Sequence, residues 1–189
     1  MSPLVLVAAL ALQAPAQQIV AIPPPADRPA PTASPASLES NAYAYDDGSG
    51  ETLFGVSPGA DMCWLQSFDA AGGADTITSI ATSLGLFGVG PPNGSPVTLC
   101  VWDDPDGDGK PFDAVLLARV DAVVQQSGSG AIVSYPIPAT TVSGSFFVGA
   151  FLTLGDQVGA PTVDEDTFLL ERAWLAVAAS GTLDPTALF

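Results

Sequence analysis

This chain predicts an all-β fold: an antiparallel β-sandwich of about eight strands, jelly-roll-like in layout. Three observations lead there. Apolar and polar residues alternate with period two in run after run, the mark of half-buried strands. Clusters of Gly, Pro, Asp and Ser separate those runs, as turns do. The runs number about eight within residues 41–189, enough for two packed sheets that protect each other's edges.

Two segments of a different kind precede the sandwich. Residues 1–16 hold an apolar run from Leu4 to Leu12, followed by the small-x-small site Ala14-Pro15-Ala16. They read as a secretory signal peptide, and the run is too short to span a bilayer. Residues 17–40 contain Pro23, Pro24, Pro25, Pro29, Pro31 and Pro35. Proline removes backbone donors and favours an extended conformation, so this stretch reads as a semi-rigid Pro-rich linker. The β-sandwich domain is expected over residues 41–189.

Within that domain the expected strands follow in order. Residues 43–56 and 62–68 are apolar and aromatic. Residues 76–84 are ambiguous, because Ile77, Ile80 and Leu84 also fit helical spacing. Residues 97–102 alternate at Val97, Leu99 and Val101. Leu116, Ala118, Val120, Ala122 and Val124 share one parity, with Arg119 and Asp121 on the other. Ala131, Val133, Tyr135 and Ile137 repeat the pattern. Phe146, Val148, Ala150, Leu152 and Leu154 follow, with Phe147 and Phe151 facing the other way. Residues 168–178 complete the set.

Charge narrows the function. The chain carries 20 acidic and 4 basic residues, a net charge of −16, and no histidine. A nucleic-acid partner needs a basic footprint that is absent here, and an anionic membrane surface would repel the chain. Without histidine there is no Ser-His-Asp or Cys-His catalysis and no imidazole metal ligand. Lys110 is followed by Pro111, so there is no Walker A motif. The two cysteines, Cys63 and Cys100, are too few for a four-cysteine zinc site. In an exported chain an even pair favours a disulfide, worth about 4 kcal/mol through loop-closure entropy.

The segment Trp102-Asp-Asp-Pro-Asp-Gly-Asp-Gly-Lys-Pro-Phe-Asp113 is where chemistry concentrates. Asp104, Asp106 and Asp108 alternate, and Gly109 permits a tight curl that lets their carboxylates converge. Lys110 would add its backbone carbonyl, and Asp103 and Asp113 stand near enough in sequence to help. Five clustered carboxylates repel one another unless a cation joins them. An all-oxygen ligand set suits Ca²⁺ and not zinc. The loop partly resembles the calcium loops of dockerins and thrombospondin type 3 repeats. It departs from them at position twelve, where Val115 stands in place of the bidentate carboxylate, and its flanks read as strands rather than helices.

Two further acidic clusters are possible ligand or catalytic groups: Asp46, Asp47 and Glu51, and Asp164, Glu165, Asp166 and Glu171. Both read more simply as polar turns. Trp102, beside the acidic loop, is the aromatic to test as a platform for a sugar ring.

A wider resemblance joins these pieces. Ala44-Tyr-Asp-Asp-Gly48, Val101 to Gly109 with Asp113-Ala-Val-Leu-Leu117, Ser145-Phe-Phe-Val-Gly149 and Asp184-Pro185 resemble an uncharacterised group of exported single-domain proteins from planctomycete-like and related environmental bacteria. The resemblance spans most of Ala44 to Leu188 and implies a secreted β-sandwich. The expectation is therefore a secreted or cell-surface, non-catalytic, Ca²⁺-stabilised module. Its partner would be a glycan or another envelope or extracellular component, and the module itself monomeric or weakly self-associating. The alternatives are a structural envelope or matrix protein bridged by calcium, and a carboxylate-based glycosidase.

Overall fold

A computed structural model describes residues 18–21, 43–44, 52–55, 58–156, 159–163, 172–185 and 187–188. Eight strands account for most of them: β1 (Gln18–Ala21), β2 (Thr52–Gly55), β3 (Ala60–Ser83), β4 (Pro96–Asp103), β5 (Val115–Val123), β6 (Ile132–Thr153), β7 (Gly159–Val163) and β8 (Ala173–Ala179). A single 3-10 turn, Pro111–Asp113, lies between β4 and β5. Among the described residues no helix is long and apolar enough to cross a membrane.

The fold is all-β and sandwich-like. Its strands pair in a nested, antiparallel set: β1 with β8, β2 with β7, β3 with β6, and β4 with β5. A chain folded double about its β4–β5 turn and then rolled gives this jelly-roll pattern. The added pairings β3–β8 and β4–β6 knit six strands into one sheet, in the order β1-β8-β3-β6-β4-β5. β2 and β7 form a separate two-stranded sheet.

β3 and β6 are far longer than the sequence pattern suggests, because each joins two expected strands. Residues 62–68 and all but the last of 76–84 lie in β3, and residues 131–137 and 146–154 both fall largely in β6. Register jumps from Asp69↔Ser145 to Ala74↔Ser143, so four residues of β3 oppose one of β6. Gly72 and Gly73 take positive φ at this bulge, which bends the ribbon without ending it. A second shift lies between Ile77 and Ser79. It resets the alternation, so Ile77 and Ile80 are both buried although three apart. The helix-like spacing of that segment is the trace of a bulge.

The bend allows the outer halves of β3 and β6 to pack against the six-stranded sheet. Ile77, Ile80, Val133, Tyr135 and Ile137 share one buried cluster with Met62, Leu99, Val101, Phe146 and Leu152. The opposite face of the sheet is also apolar. Cys63, Leu65, Cys100, Trp102, Phe147 and Trp174 form a second cluster there, closed over by Leu183 and Leu188 of the C-terminal segment. Asp61 pins that segment. Its carboxylate is 1% exposed and accepts from Thr153 Oγ1 at 2.7 Å, Thr182 N at 2.9 Å and Leu183 N at 3.1 Å.

Three expectations change. Gln18–Ala21 pairs with β8 as β1, although it falls inside the stretch 17–40 expected to be linker. The rest of that stretch and the signal segment 1–16 lie outside the described residues. β7, which contains Pro161, was not anticipated.

The third change is the disulfide. Cys63 and Cys100 are both buried and unbridged. Cys63 opposes Phe151 of β6 from one side, and Cys100 opposes Gly149 from the other. With β6 between them, the cysteines stand two strand spacings apart, ~10 Å, on the usual sheet geometry. A disulfide needs Cα atoms within about 7 Å. Burial pushes the Cys63 thiol well up and raises Cys100 to about 12. Both thiols should therefore stay protonated and resist an aromatic disulfide reagent at about pH 8. Two thiols should react once the unreduced protein is denatured, and fewer than two would restore the bridge.

Candidate metal centre

The acidic loop is the turn of the β4–β5 hairpin. β4 ends at Asp103, which pairs with Val115 of β5 and Phe146 of β6. The next residue is fixed to the sheet: Asp104 N donates to Ser145 O at 3.3 Å, and the residue is only 5% exposed. The chain then curls. Gly107 N returns to Asp104 O at 3.1 Å. Gly107 and Gly109 take φ of 68° and 73°, a left-handed conformation that a side chain would strain.

Side chains tighten the curl from within. Asp104 Oδ2 accepts from Gly109 N at 2.9 Å, and Asp106 Oδ1 accepts from Asp108 N at 3.0 Å. Asp108 Oδ1 accepts from Lys110 N at 2.8 Å. Trp174 of β8 donates through Nε1 to Gly109 O at 3.2 Å, which ties the loop to the sheet. Phe112 packs edge-on to Trp174 at 6.1 Å.

This curl brings Asp104, Asp106 and Asp108 together. Each offers a carboxylate oxygen, and these oxygens lie within 4.8 Å of one another, so the group is able to hold a metal ion. Among the described residues no other three metal-ligating side chains converge in this way. Asp104 Oδ1 is buried and has no hydrogen-bond partner. A carboxylate oxygen in that position is costly unless something neutralises it. Burial pushes the Asp104 carboxyl up; the Gly109 N–H opposes that, and the charges of Asp113, Asp106 and Asp108 add to it. Asp108 moves the other way, held down by the Lys110 ammonium and backbone N–H.

The remaining expected ligands stand differently. Asp103 and Asp113 are outside the convergent group, although the charge of Asp113 reaches Asp104. Lys110 brings its ammonium, with Nζ 2.6 Å from Asp108 Oδ2. Val115 is the first residue of β5, so the loop passes into a strand where an EF-hand would have its closing carboxylate.

Trp102 is not a platform for a ligand. It is 1% exposed, and its Nε1 donates to Pro185 O at 2.9 Å. Trp102 points to the second apolar face, and the C-terminal segment covers that face. Asp46, Asp47 and Glu51, and Asp164, Glu165, Asp166 and Glu171, lie outside the described residues. Sequence reasoning missed the groups beside the loop: Asp69, Ser145 and Arg172. They are far apart in the chain, and the only hint was the scarcity of cations that makes any arginine notable. The chain matches no protein-family model, and no curated protein is significantly similar to it in sequence.

Proposed function

We propose that this chain is an exported, non-catalytic β-sandwich module that Ca²⁺ stabilises at the acidic loop and that binds a glycan or another cell-envelope component. One observation carries the calcium half: Asp104 Oδ1 is buried, without a partner, and beside two more carboxylates. A hard divalent cation supplies what that oxygen lacks. The all-carboxylate donor set favours Ca²⁺ over softer metals, and a loop with exposed members tolerates its variable coordination. The signal-like segment 1–16, the Pro-rich stretch, the absence of histidine and the sequence resemblance noted above support an extracellular binding role.

The test is thermal unfolding with Ca²⁺ and with chelator. A metal that binds only the folded state stabilises it by mass action, about 2.7 kcal/mol at one hundred times Kd. The melting temperature should rise with Ca²⁺, rise less with Mg²⁺, and lose the response in Asp106→Ala. An equal melting temperature in Ca²⁺ and chelator would make the loop a solvated turn. Binding to a polysaccharide and envelope panel in Ca²⁺ tests the second half. Calcium-dependent growth in light scattering would point to a bridged structural protein.

A further inference from the structure

Beside the acidic loop lies an open cleft of about 250 Å³, walled on one side by Asp108 and the backbone of Gly107 and Gly109. The other side is formed by Ser67, Asp69, Ser145 and Arg172. We propose that this cleft is the ligand site of the module and that it takes the hydroxyl groups of a neutral sugar ring. The assignment rests on the glycan-binding reading above and gives it a place and a chemistry.

The charges of the cleft argue for a neutral, hydroxylated ligand. Only 4 Lys and Arg residues occur in the whole chain; one of them, Arg172, lines this cleft, and a second, Lys110, pairs with a carboxylate that lines it. Arg172 Nη2 lies 2.9 Å from Asp69 Oδ2, and Lys110 Nζ lies 2.6 Å from Asp108 Oδ2. Each wall therefore offers a carboxylate acceptor beside a cationic donor. An anion entering would meet Asp69 and Asp108, and a cation would meet Arg172 and an Asp108 already neutralised by Lys110. A hydroxyl both donates and accepts, so adjacent ring hydroxyls can use both members of such a pair. At about 250 Å³ the cleft is smaller than the roughly 300–1,000 Å³ of drug-sized ligand pockets, which limits it to about one ring rather than an extended oligomer.

The site is also built. Ser145 Oγ donates to Asp69 Oδ1 at 2.8 Å, and Ser145 O accepts the Asp104 amide. One residue thus joins the cleft to the metal-holding curl. Ser67 N donates to Arg172 O at 2.8 Å, fixing the backbone from which the guanidinium projects. The Ser145 and Arg172 hydrogen bonds hold the Asp69 carboxyl below its usual range, ionised and able to accept. Because Asp108 belongs to both the curl and the cleft, a cation that orders the curl also sets one wall. Sugar binding should depend on Ca²⁺.

Calorimetric titration tests this with the methyl glycosides of glucose, galactose, mannose and fucose, in Ca²⁺ and in chelator. Glucuronic acid and glucosamine serve as the anionic and cationic comparisons. At least one neutral glycoside should bind. Its affinity should fall about tenfold or more in Arg172→Gln and in Asp69→Asn, the worth of one charge-assisted hydrogen bond. Calcium titration should be unchanged in both variants. In the unmodified protein the amide shifts of Gly107, Gly109 and Ser145 should move on adding sugar, a readout that needs no variant. Full-strength binding in both variants would overturn the cleft while leaving a glycan module with its site elsewhere. Preference for the charged sugars would overturn the ligand chemistry. No binding by any neutral glycoside would overturn the proposal outright, whereas the calcium reading stands or falls separately on thermal unfolding.

Discussion

Gly149→Ala is expected to cost about 3–5 kcal/mol, a large share of the roughly 5–15 kcal/mol that stabilises an ordinary domain. Gly149 lies at the centre of the six-stranded sheet, opposite Leu65 of β3 and Cys100 of β4. A Cβ added there would fall 2.1 Å from Trp64 O and 3.1 Å from Leu65 Cα. These are backbone atoms of a paired strand, so no side chain can swing away to make room. Strand β3 must move off β6, and both apolar clusters share that junction. Urea unfolding should show a much lower midpoint, or the variant should accumulate as insoluble protein. Gly94→Ala is the comparison for glycine effects without crowding: unlike Gly149 it has a positive φ of 88°, but a Cβ there meets nothing within 4 Å. A Gly149→Ala midpoint no lower than that of Gly94→Ala would show that the strands do not approach so closely.

Asp61→Ala is expected to cost about 3–5 kcal/mol and to release the C-terminal segment. The buried carboxylate accepts three hydrogen bonds, two of them from the amides of Thr182 and Leu183. Removing it takes that partner from both amides and leaves the Leu183 amide buried without one. Leu183 and Leu188 would then lift from the second apolar face, and Trp102 would lose Pro185 O. Trp102 fluorescence should shift to the red, and protease should cut after about residue 180 before the rest unfolds. Asp61→Asn keeps the shape and one acceptor, so it should lose less. Asp156→Asn, at an exposed position, should change stability by under about 0.5 kcal/mol. Slow, simultaneous cleavage throughout the Asp61→Ala chain would contradict a separately pinned segment.

The period-two runs were legible because strands half-buried on one face must alternate, and β5 and the first half of β6 do so, whereas β4 and the second half of β6 are buried on both faces. Strand continuity was not legible. Gly72 and Gly73 look like a turn, and nothing local distinguishes a bulge that bends a ribbon from a loop that ends it. β7 was hidden by Pro161, and β1 by the prolines that follow it. The Asp104, Asp106 and Asp108 spacing did foretell a convergent group, since a curl with two left-handed glycines has few other outcomes. The burial of Asp104 could not be read, because it depends on Ser145, far along the chain. Trp102 misled for a related reason. A tryptophan next to an acidic loop looks accessible until a distant segment is known to cover it. The cysteines misled because a sequence does not show that a third strand runs between two others.

The nested pairing of strands also sets how the chain can assemble. β4 and β5 are joined by 11 residues, whereas β1 and β8 are separated by most of the polypeptide. Loop-closure entropy rises with the length enclosed, and contacts distant in sequence slow folding. Folding therefore favours a path from the middle outward, each closed hairpin shortening the effective loop for the pair outside it. The first turn to close is the one that carries the crowded carboxylates. Their mutual repulsion opposes that closure, and a divalent ion relieves it. On the calcium reading proposed above, such a chain would stay open more easily where calcium is scarce and zip more readily where it is plentiful.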